Sequence, residues 1–405
     1  MAGASILPRP RQRPRRCKHA WLPLDLLLEI AAQSDPATLV RCTATSKELH
    51  RHIADPAFRR RLHLRRAGRF VPSLLRGRLQ VDRYDGRLRL VDNTTAHVTR
   101  LVSAAACFPP AADGETAVWF WQAAAARDGL ILISGCGGWG TDEKLCVYRP
   151  ATGRSQALPL GPRLDNGQYV LLVGDGEEGG GVGRPFQVLK ACFVKPPGRW
   201  RSLQIHAFSS KQGTWAPRIR SSSPLIMYGD EMLQRPGNSV VVGDTVHCLY
   251  HLDRTYYVLK LHVKAARVTF TELPKSFHRA CRFLEDRTEQ ILLATSSSGR
   301  SLIVLVANND MISGWAQSER TGKWSKRPQF VKDCGVMKGR PGSVRLEWFA
   351  ERSGIVLVTA PDSSMFFLDL QSKDIIKCSS TIASRGTYPY EEDVSSWVPT
   401  FTKIF

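Results

Sequence analysis

Leu145-Cys146-Val147-Tyr148-Arg149-Pro150-Ala151-Thr152-Gly153-Arg154-Ser155-Gln156-Ala157-Leu158-Pro159 reads as a strand, a tight polar turn and a short second strand closed by Leu-Pro. The phrase recurs. His206–Pro217 turns at Lys211-Gln212-Gly213, Leu259–Pro274 at Lys264-Ala265-Ala266, Trp315–Pro328 at Arg320-Thr321-Gly322-Lys323, and Met365–Ser379 at Ser372-Lys373-Asp374. With Thr152, Gln212, Ala266, Gly322 and Lys373 as markers, the spacings are 60, 54, 56 and 51. A weaker sixth copy runs through Leu88–Leu101, turning near Asn93-Thr94-Thr95. β-rich runs precede most turns: Gly129–Ser134, Phe186–Val194, Ser239–His251, Ile291–Ala307 and Gly354–Thr359. A strand-built period of fifty-odd residues predicts an all-β propeller of about six blades over residues 79–405. One blade is a small twisted sheet that cannot cover both of its faces, so blades around an axis bury each other. Trp200, Trp215, Trp324, Trp348 and Trp397 are therefore expected between blades.

Upstream of the repeats the pattern changes to helix. Pro23 and Asp25 suit a helix start, after which Leu26, Leu27 and Ile30 share a face. Asp35-Pro36 pairs a carboxylate cap with proline at the first helical position, and Leu39, Cys42 and Thr43 share a face of a second helix. Ser46 caps a third, with Leu49 and Ile53 four apart. Asp55-Pro56 starts a fourth carrying Phe58 and Leu62. The fourth is expected to run through Leu64 and to close at Arg76-Gly77, stiffening the join to the propeller. Residues 20–67 thus form a small all-α head with more apolar surface than it can hide, which reads as a docking piece.

The chain has 405 residues, 57 Lys plus Arg against 36 Asp plus Glu, and a net charge of +21. Positions 1–100 hold 21 basic and 8 acidic residues, so +13 of that excess lies in the first quarter. Arg9, Arg11, Arg13, Arg15, Arg16 and Lys18 form a basic, Pro-spaced stretch within residues 1–19, read as a disordered tail. Arg59, Arg60, Arg61, Arg65 and Arg66 follow in the fourth helix. A nucleic-acid or nuclear-import patch fits this asymmetry, and so does an acidic protein partner. No run approaches the ~18 apolar residues of a membrane-spanning helix, so no membrane partner is expected. The ten cysteines are scattered singly with no CxxC pair, as in a reduced cytoplasmic or nuclear protein.

Leu22-Pro23-Leu24-Asp25-Leu26-Leu27-Leu28-Glu29-Ile30, with Asp35-Pro36, Leu39, Arg41-Cys42 and Ser46-Lys47, resembles an F-box. The resemblance implies docking to a Skp-type adaptor and, through it, to a cullin–RING ubiquitin ligase. It places Leu22, Pro23, Leu26, Leu27, Ile30 and Leu39 at the adaptor. The family usually has large apolar residues where this chain has Ala31 and Ser34, Val where Thr45 stands, and Trp where Leu49 stands. The phrases of residues 80–400 look like the F-box-associated domains of large plant F-box families. Their repeat length is kelch-like, although the kelch double glycine and the Trp-Asp signature are absent. What these resemblances imply is a non-catalytic substrate-recognition subunit that needs no cofactor. Its propeller would hold an unknown protein target, and ubiquitination would follow from proximity.

The remaining motifs argue against chemistry in the chain. Gly135-Cys136-Gly137-Gly138-Trp139-Gly140 matches GxGxxG, but Lys144–Tyr148 returns to strand and leaves no helix to meet a pyrophosphate. Gly174–Gly183 lacks the Lys-Ser/Thr of a phosphate loop and reads as a blade-connecting insertion. In an extended strand His247 and His251 share a face while Cys248 points away, which makes a poor metal site. Two other functions stay open: a salt-sensitive nucleic-acid binder using Arg9–Lys18 and Arg59–Arg66, and a propeller glycan binder or enzyme. The latter requires loop acids such as Asp230, Asp244 and Asp310 to converge.

Overall fold

The computed structural model describes residues 22–34, 36–55, 57–58, 70–81, 87–92, 95–108, 120–136, 142–162, 167–174, 181–194, 202–216, 219–221, 231–232, 239–252, 255–281, 290–308, 311–333, 344–378 and 387–393. Three helices open it: α1 (Leu24–Gln33), α2 (Pro36–Thr45) and α3 (Lys47–Ala54). Pro36 is the first residue of α2, where its missing N–H costs nothing. Ser46 caps α3, its hydroxyl accepting from the Leu49 amide at 3.3 Å. Asp55 accepts from the Ala57 amide at 2.6 Å and so starts a further helical turn at Ala57-Phe58. Residues 59–69, with the arginines at 59–61, 65 and 66, lie outside the described residues, as do residues 1–21.

Six antiparallel sheets follow. β1 (Leu75–Val81), β2 (Arg87–Asp92) and β3 (Val98–Ser103) belong to blade I; β4 (Phe120–Arg127), β5 (Leu130–Cys136), β6 (Lys144–Arg149) and β7 (Arg154–Ala157) form blade II. Blade III holds β8 (Gln168–Val173), β9 (Phe186–Val194), β10 (Ser202–Ser209), β11 (Thr214–Trp215) and β12 (Ile219–Ser221). Blade IV holds β13 (Glu231–Met232), β14 (Ser239–Val242), β15 (Thr245–Leu252), β16 (Thr255–His262) and β17 (Arg267–Glu272). Blade V is β18 (Ile291–Thr295), β19 (Leu302–Asn308), β20 (Met311–Ala316) and β21 (Phe330–Asp333). Blade VI is β22 (Arg345–Ala350), β23 (Ile355–Thr359), β24 (Met365–Asp369) and β25 (Ile375–Lys377). The last strand, β26 (Tyr388–Glu391), then returns to pair with β1 and becomes the inner strand of blade I. The first and last segments of the propeller thus share one sheet. The architecture is a short helical head followed by a six-bladed β-propeller, as the repeats predict.

The repeated phrase is the hairpin between the third and fourth strands of each blade. Among the described residues each of the six hairpins carries one left-handed residue: Ala96 (φ 56), Gly153 (φ 67), Gly213 (φ 68), Ala266 (φ 50), Gly322 (φ 66) and Lys373 (φ 64). In four of them that residue's amide donates to a carbonyl four positions back: Gly153 to Arg149, Gly213 to Ser209, Gly322 to Ser318 and Lys373 to Asp369. The same turn recurs because the right-handed twist of a strand pair needs a positive φ at this step.

Apolar side chains fill the valleys between blades. Blades IV, V and VI share a core that includes Leu249, Val258, Leu292, Leu305, Trp315 and Val356. Trp348 is fully buried on β22, its indole donating to Thr387 Oγ1 beside β26 at 3.3 Å. Trp215 donates to the Pro159 carbonyl at 3.0 Å, across the connection from blade II to blade III. Trp324 packs partly buried against the blade IV–VI core, whereas Trp200 and Trp397 lie outside the described residues.

Several expectations change in detail. The first blade strand starts at Leu75, not at 79, and Arg76-Gly77 lies inside it, not at a closing turn. A Cβ at Gly77 would meet the Val91 carbonyl at 2.3 Å, so glycine is set there by the close approach of β2. Gly174–Gly183 connects β8 to β9 within blade III; the Gly174 amide donates to Pro185 at 2.8 Å, so it does not join blades. The β-rich runs Ser239–His251 and Ile291–Ala307 each contain two paired strands. The GxGxxG stretch begins on the last two residues of β5, which pairs antiparallel with β6; residues 137–141 lie outside the described residues.

Candidate functional site

α1 has two apolar faces. Leu28, Ala31 and Ala32 turn inward with Leu39, Ile53, Phe58 and Leu74 to form the head's own core, with Leu24, Cys42, Leu49 and Val71 against it. On the other side Leu22, Leu26 and Ile30, four residues apart, keep 51%, 50% and 53% of their surface in water. Pro23 is exposed beside them and Leu27 is half-buried. The Pro23 carbonyl starts the helix by accepting from the Leu26 and Leu27 amides at 3.0 and 3.1 Å. A row of large apolar side chains on one face of a short helix is the arrangement a partner's groove takes up.

Leu39, expected at the adaptor, sits elsewhere. It is 1% exposed and belongs to the head's core with Leu28 and Ile53, so it has no surface to offer a partner. Its position follows from α2 packing on both other helices. The departures from the F-box pattern also sort by face. Ala31 and Leu49 lie on the inner side, where they set how closely the three helices pack. Ser34 and Thr45 bond back to the ends of their helices, to Ile30 and Cys42 carbonyls, both at 2.8 Å.

A second constellation, which no sequence motif marks, lies where the first and second strands of blades II, III and VI turn. Asp128 occupies the β4–β5 turn with φ 47 and accepts from both arms of Arg352, at 3.0 and 3.2 Å. Arg127 pairs with Glu351 at 2.7 Å, and Glu351 also accepts from the Val241 amide of blade IV at 3.2 Å. Arg184 bonds the Asp128 carbonyl at 3.2 Å and the Asp393 carboxylate at 2.6 Å. Glu391, at the end of β26, accepts from the Arg352 and Ser353 amides and from the Ser353 hydroxyl, at 3.0, 2.6 and 2.6 Å. Burial alone would raise the Asp128 pKa; the neighbouring Arg352, Arg127 and Arg184 outweigh it and hold the carboxyl below the usual carboxylate range. For Glu391 burial wins over the hydrogen bonds, and its carboxyl is pushed up. Every carboxylate here is matched by a cation or by amides, so the network is a brace, with no acid left over for general acid–base work.

Among the described residues no group of three or more His, Cys, Asp or Glu could hold a metal. His247, Cys248 and His251 lie on β15 as read from the strand period, with His247 and Cys248 buried. Asp244 sits on an exposed turn paired with Lys264 at 2.7 Å, while Asp230 and Asp310 lie outside the described residues. No described helix is long and apolar enough to cross a membrane.

Comparison with known families divides the chain at the same place as the fold. Residues 20–65 match the F-box-like family. Residues 120–387, more than half of the chain, match a domain of unknown function, DUF7595. The chain belongs to the DUF7595 family. That span begins on the first residue of β4 and stops one residue short of β26, so in this DUF7595 member it covers blades II to VI. An F-box-like region followed by a propeller fits the general plan of a ligase substrate-recognition adaptor.

No curated protein matches the chain significantly. Similar solved structures include TolB from Acinetobacter baumannii, at 10% identity and TM-score 0.43, covering 78% of this chain and 65% of that one. Sqt1 from Saccharomyces cerevisiae is 9% identical with TM-score 0.38, over 78% and 79% of the two chains. An oligogalacturonate lyase with manganese is 8% identical with TM-score 0.38, over 76% and 75%. At these scores they carry no argument about this chain's function, and the architecture rests on its own strand pairing.

Proposed function

We propose that this DUF7595 protein is the substrate-recognition subunit of a cullin–RING ubiquitin ligase. The head docks a Skp-type adaptor through Leu22, Pro23, Leu26, Leu27 and Ile30, and the propeller holds a protein target whose identity neither half specifies. The observation that carries the reading is the outward Leu22, Leu26, Ile30 row on a head that already has its own core. A folded unit gains nothing by leaving three large side chains in water unless a partner covers them. The chain itself makes and breaks no bonds. It raises the effective concentration of a target lysine near a charged ubiquitin carrier, which for short tethers reaches the millimolar range.

Two substitutions test this. Leu26→Asp and Ile30→Asp change exposed positions, so the melting temperature of the protein should stay within ~1 °C of wild type. Each removes a leucine-sized contact worth about 1.5–3 kcal/mol, so capture of a purified Skp-type adaptor should weaken at least tenfold per substitution. Unchanged capture by the double variant, measured by surface plasmon resonance, overturns the proposal. Nucleic-acid binding is tested on the same protein: affinity that falls steeply with salt and disappears on removal of residues 1–18 would favour that reading instead.

A further inference from the structure

The segment between head and propeller alternates its allegiance. Phe70 packs into the propeller core, edge-on to Phe349 with ring centres 6.1 Å apart. Val71 and Leu74 pack into the head's core, and Leu75 packs on the blade VI cluster with Trp348 and Met365. Hydrogen bonds fasten the same segment to two other parts of the chain. The Val71 amide donates to the Arg352 carbonyl at 2.9 Å, and the Leu74 carbonyl accepts from the Glu392 amide at 3.0 Å. Arg76 adds an ion pair to Glu392 at 3.3 Å.

The β22–β23 turn, residues 351–354, is the surface on which Phe70 and Val71 rest. Gly354 has φ 72, and a Cβ there would lie 2.2 Å from the Phe70 ring, so the ring lies flush on bare backbone. The turn is held from beneath by Glu391, whose Oε1 receives the Arg352 amide, the Ser353 amide and the Ser353 hydroxyl, while Oε2 also accepts from the Arg352 amide at 3.1 Å. Arg352 is fixed sideways by Asp128 of blade II. Three distant parts of the sequence therefore converge to shape one seat. A chain that only needed a tether here would require none of it.

We propose that the β22–β23 turn is the seat that fixes the head on the propeller, with Glu391 as its positioning residue. The closure of the ring by β26 and the setting of the head are then one structural event, because the same carboxylate that ends β26 shapes the turn under Phe70. The consequence for ubiquitin transfer, a fixed distance from adaptor to captured target, rests on the ligase reading; the seat itself does not.

The test uses the full chain bound to a purified Skp-type adaptor. Amide hydrogen exchange is read at Val71 and, as an internal control, in β18 and β19. Glu391→Ala, which removes every acceptor, should speed Val71 exchange at least tenfold while β18 and β19 stay protected. Glu391→Gln keeps one amide oxygen for the turn and should restore most of the protection, which a loss of general stability would not do. Gly354→Val should expel Phe70, speed Val71 likewise, and enlarge the maximum dimension of the particle in small-angle scattering. Should Glu391→Ala unfold the propeller, Phe70→Ala gives the same readings without touching the charge network. Val71 protection and particle dimension equal to wild type in Gly354→Val and Phe70→Ala overturn the proposal. Loss of adaptor capture by the wild-type chain would sink the ligase reading and leave the exchange result on the free chain to decide the seat.

Discussion

At Asp128 the carboxylate pairs with Arg352 and Arg127 while the main-chain carbonyl takes Arg184, and its titration follows from that company. Because its folded pKa is depressed, its stabilisation is fully present above the unfolded value of about 3.9 and is lost as pH falls toward the folded value. Asp128→Asn should cost about 2 kcal/mol at neutral pH, less than the ~3–5 kcal/mol of a fully buried broken pair, because Arg352 keeps a third of its side chain in water. Urea denaturation at pH 7 and pH 3 checks both size and sign, the gap between variant and wild type narrowing in acid. His247 works the other way from the usual surface histidine. Burial, then Lys260 and His262, push its pKa down to about 3. Between the unfolded value of about 6.5 and that figure, the unfolded chain binds a proton the native chain refuses. Stability should therefore drop on acidification below pH 6.5, by up to ~1.4 kcal/mol per pH unit. His247→Leu should flatten that slope between pH 6.5 and 5 in urea titrations, and an unchanged slope would assign the acid sensitivity to another group.

The hairpin between third and fourth strands is the element that the sequence displays best, and the reason is steric. A turn that must place one residue at positive φ favours Gly, polar residues and a fixed offset from the strands, so the phrase around Gly153, Gly213 and Gly322 repeats legibly. Ala266 occupies the same left-handed position with a side chain that dislikes it. Ala266→Gly should relieve about 1 kcal/mol of strain, partly offset by the extra freedom glycine has when unfolded, for a net gain of up to ~0.5 kcal/mol. A thermal melt shifted downward would show that the turn carries no strain. The inner strands are less legible. Ser239–Val242 and Ile291–Thr295 are short and lie close to the strands that follow them, divided from them only by Gly243-Asp244 and Ser296–Ser301, so each pair reads as one β-rich run. The head shows the same division. The period of α1 places Leu26, Leu27 and Ile30 on one face, but no period within α2 tells whether Leu39 faces a partner or the head's own core. That choice is made by where α2 crosses its neighbours.

At the scale of the molecule, what the sequence hides is closure. Arg352 and Asp128 meet across 224 positions, and Glu391 reaches Ser353 from the far end of the repeats. No spacing rule announces contacts of that kind, since each partner alone is an ordinary turn residue. Yet they decide the stability of the ring. β26 supplies the inner strand of blade I, pairs with β1 from Leu75↔Glu391 to Leu79↔Tyr388, and brings Tyr390 into the core between blades I and II. A chain ending at Thr387 loses this strand, the Glu391 carboxylate and the Asp393 partner of Arg184 together. Blade I would then expose the inner edge of β1 and open one valley of the propeller to water. The five blades from II to VI keep their own strands, so the truncated protein should retain β-rich circular dichroism. Its urea transition should nevertheless broaden and move to lower denaturant, because cooperativity around a ring depends on every valley being filled. Adding a synthetic peptide of residues 385–405 in trans should restore part of the midpoint in proportion to its concentration. A truncated chain that unfolds at the wild-type midpoint would mean that blade I closes without its last strand.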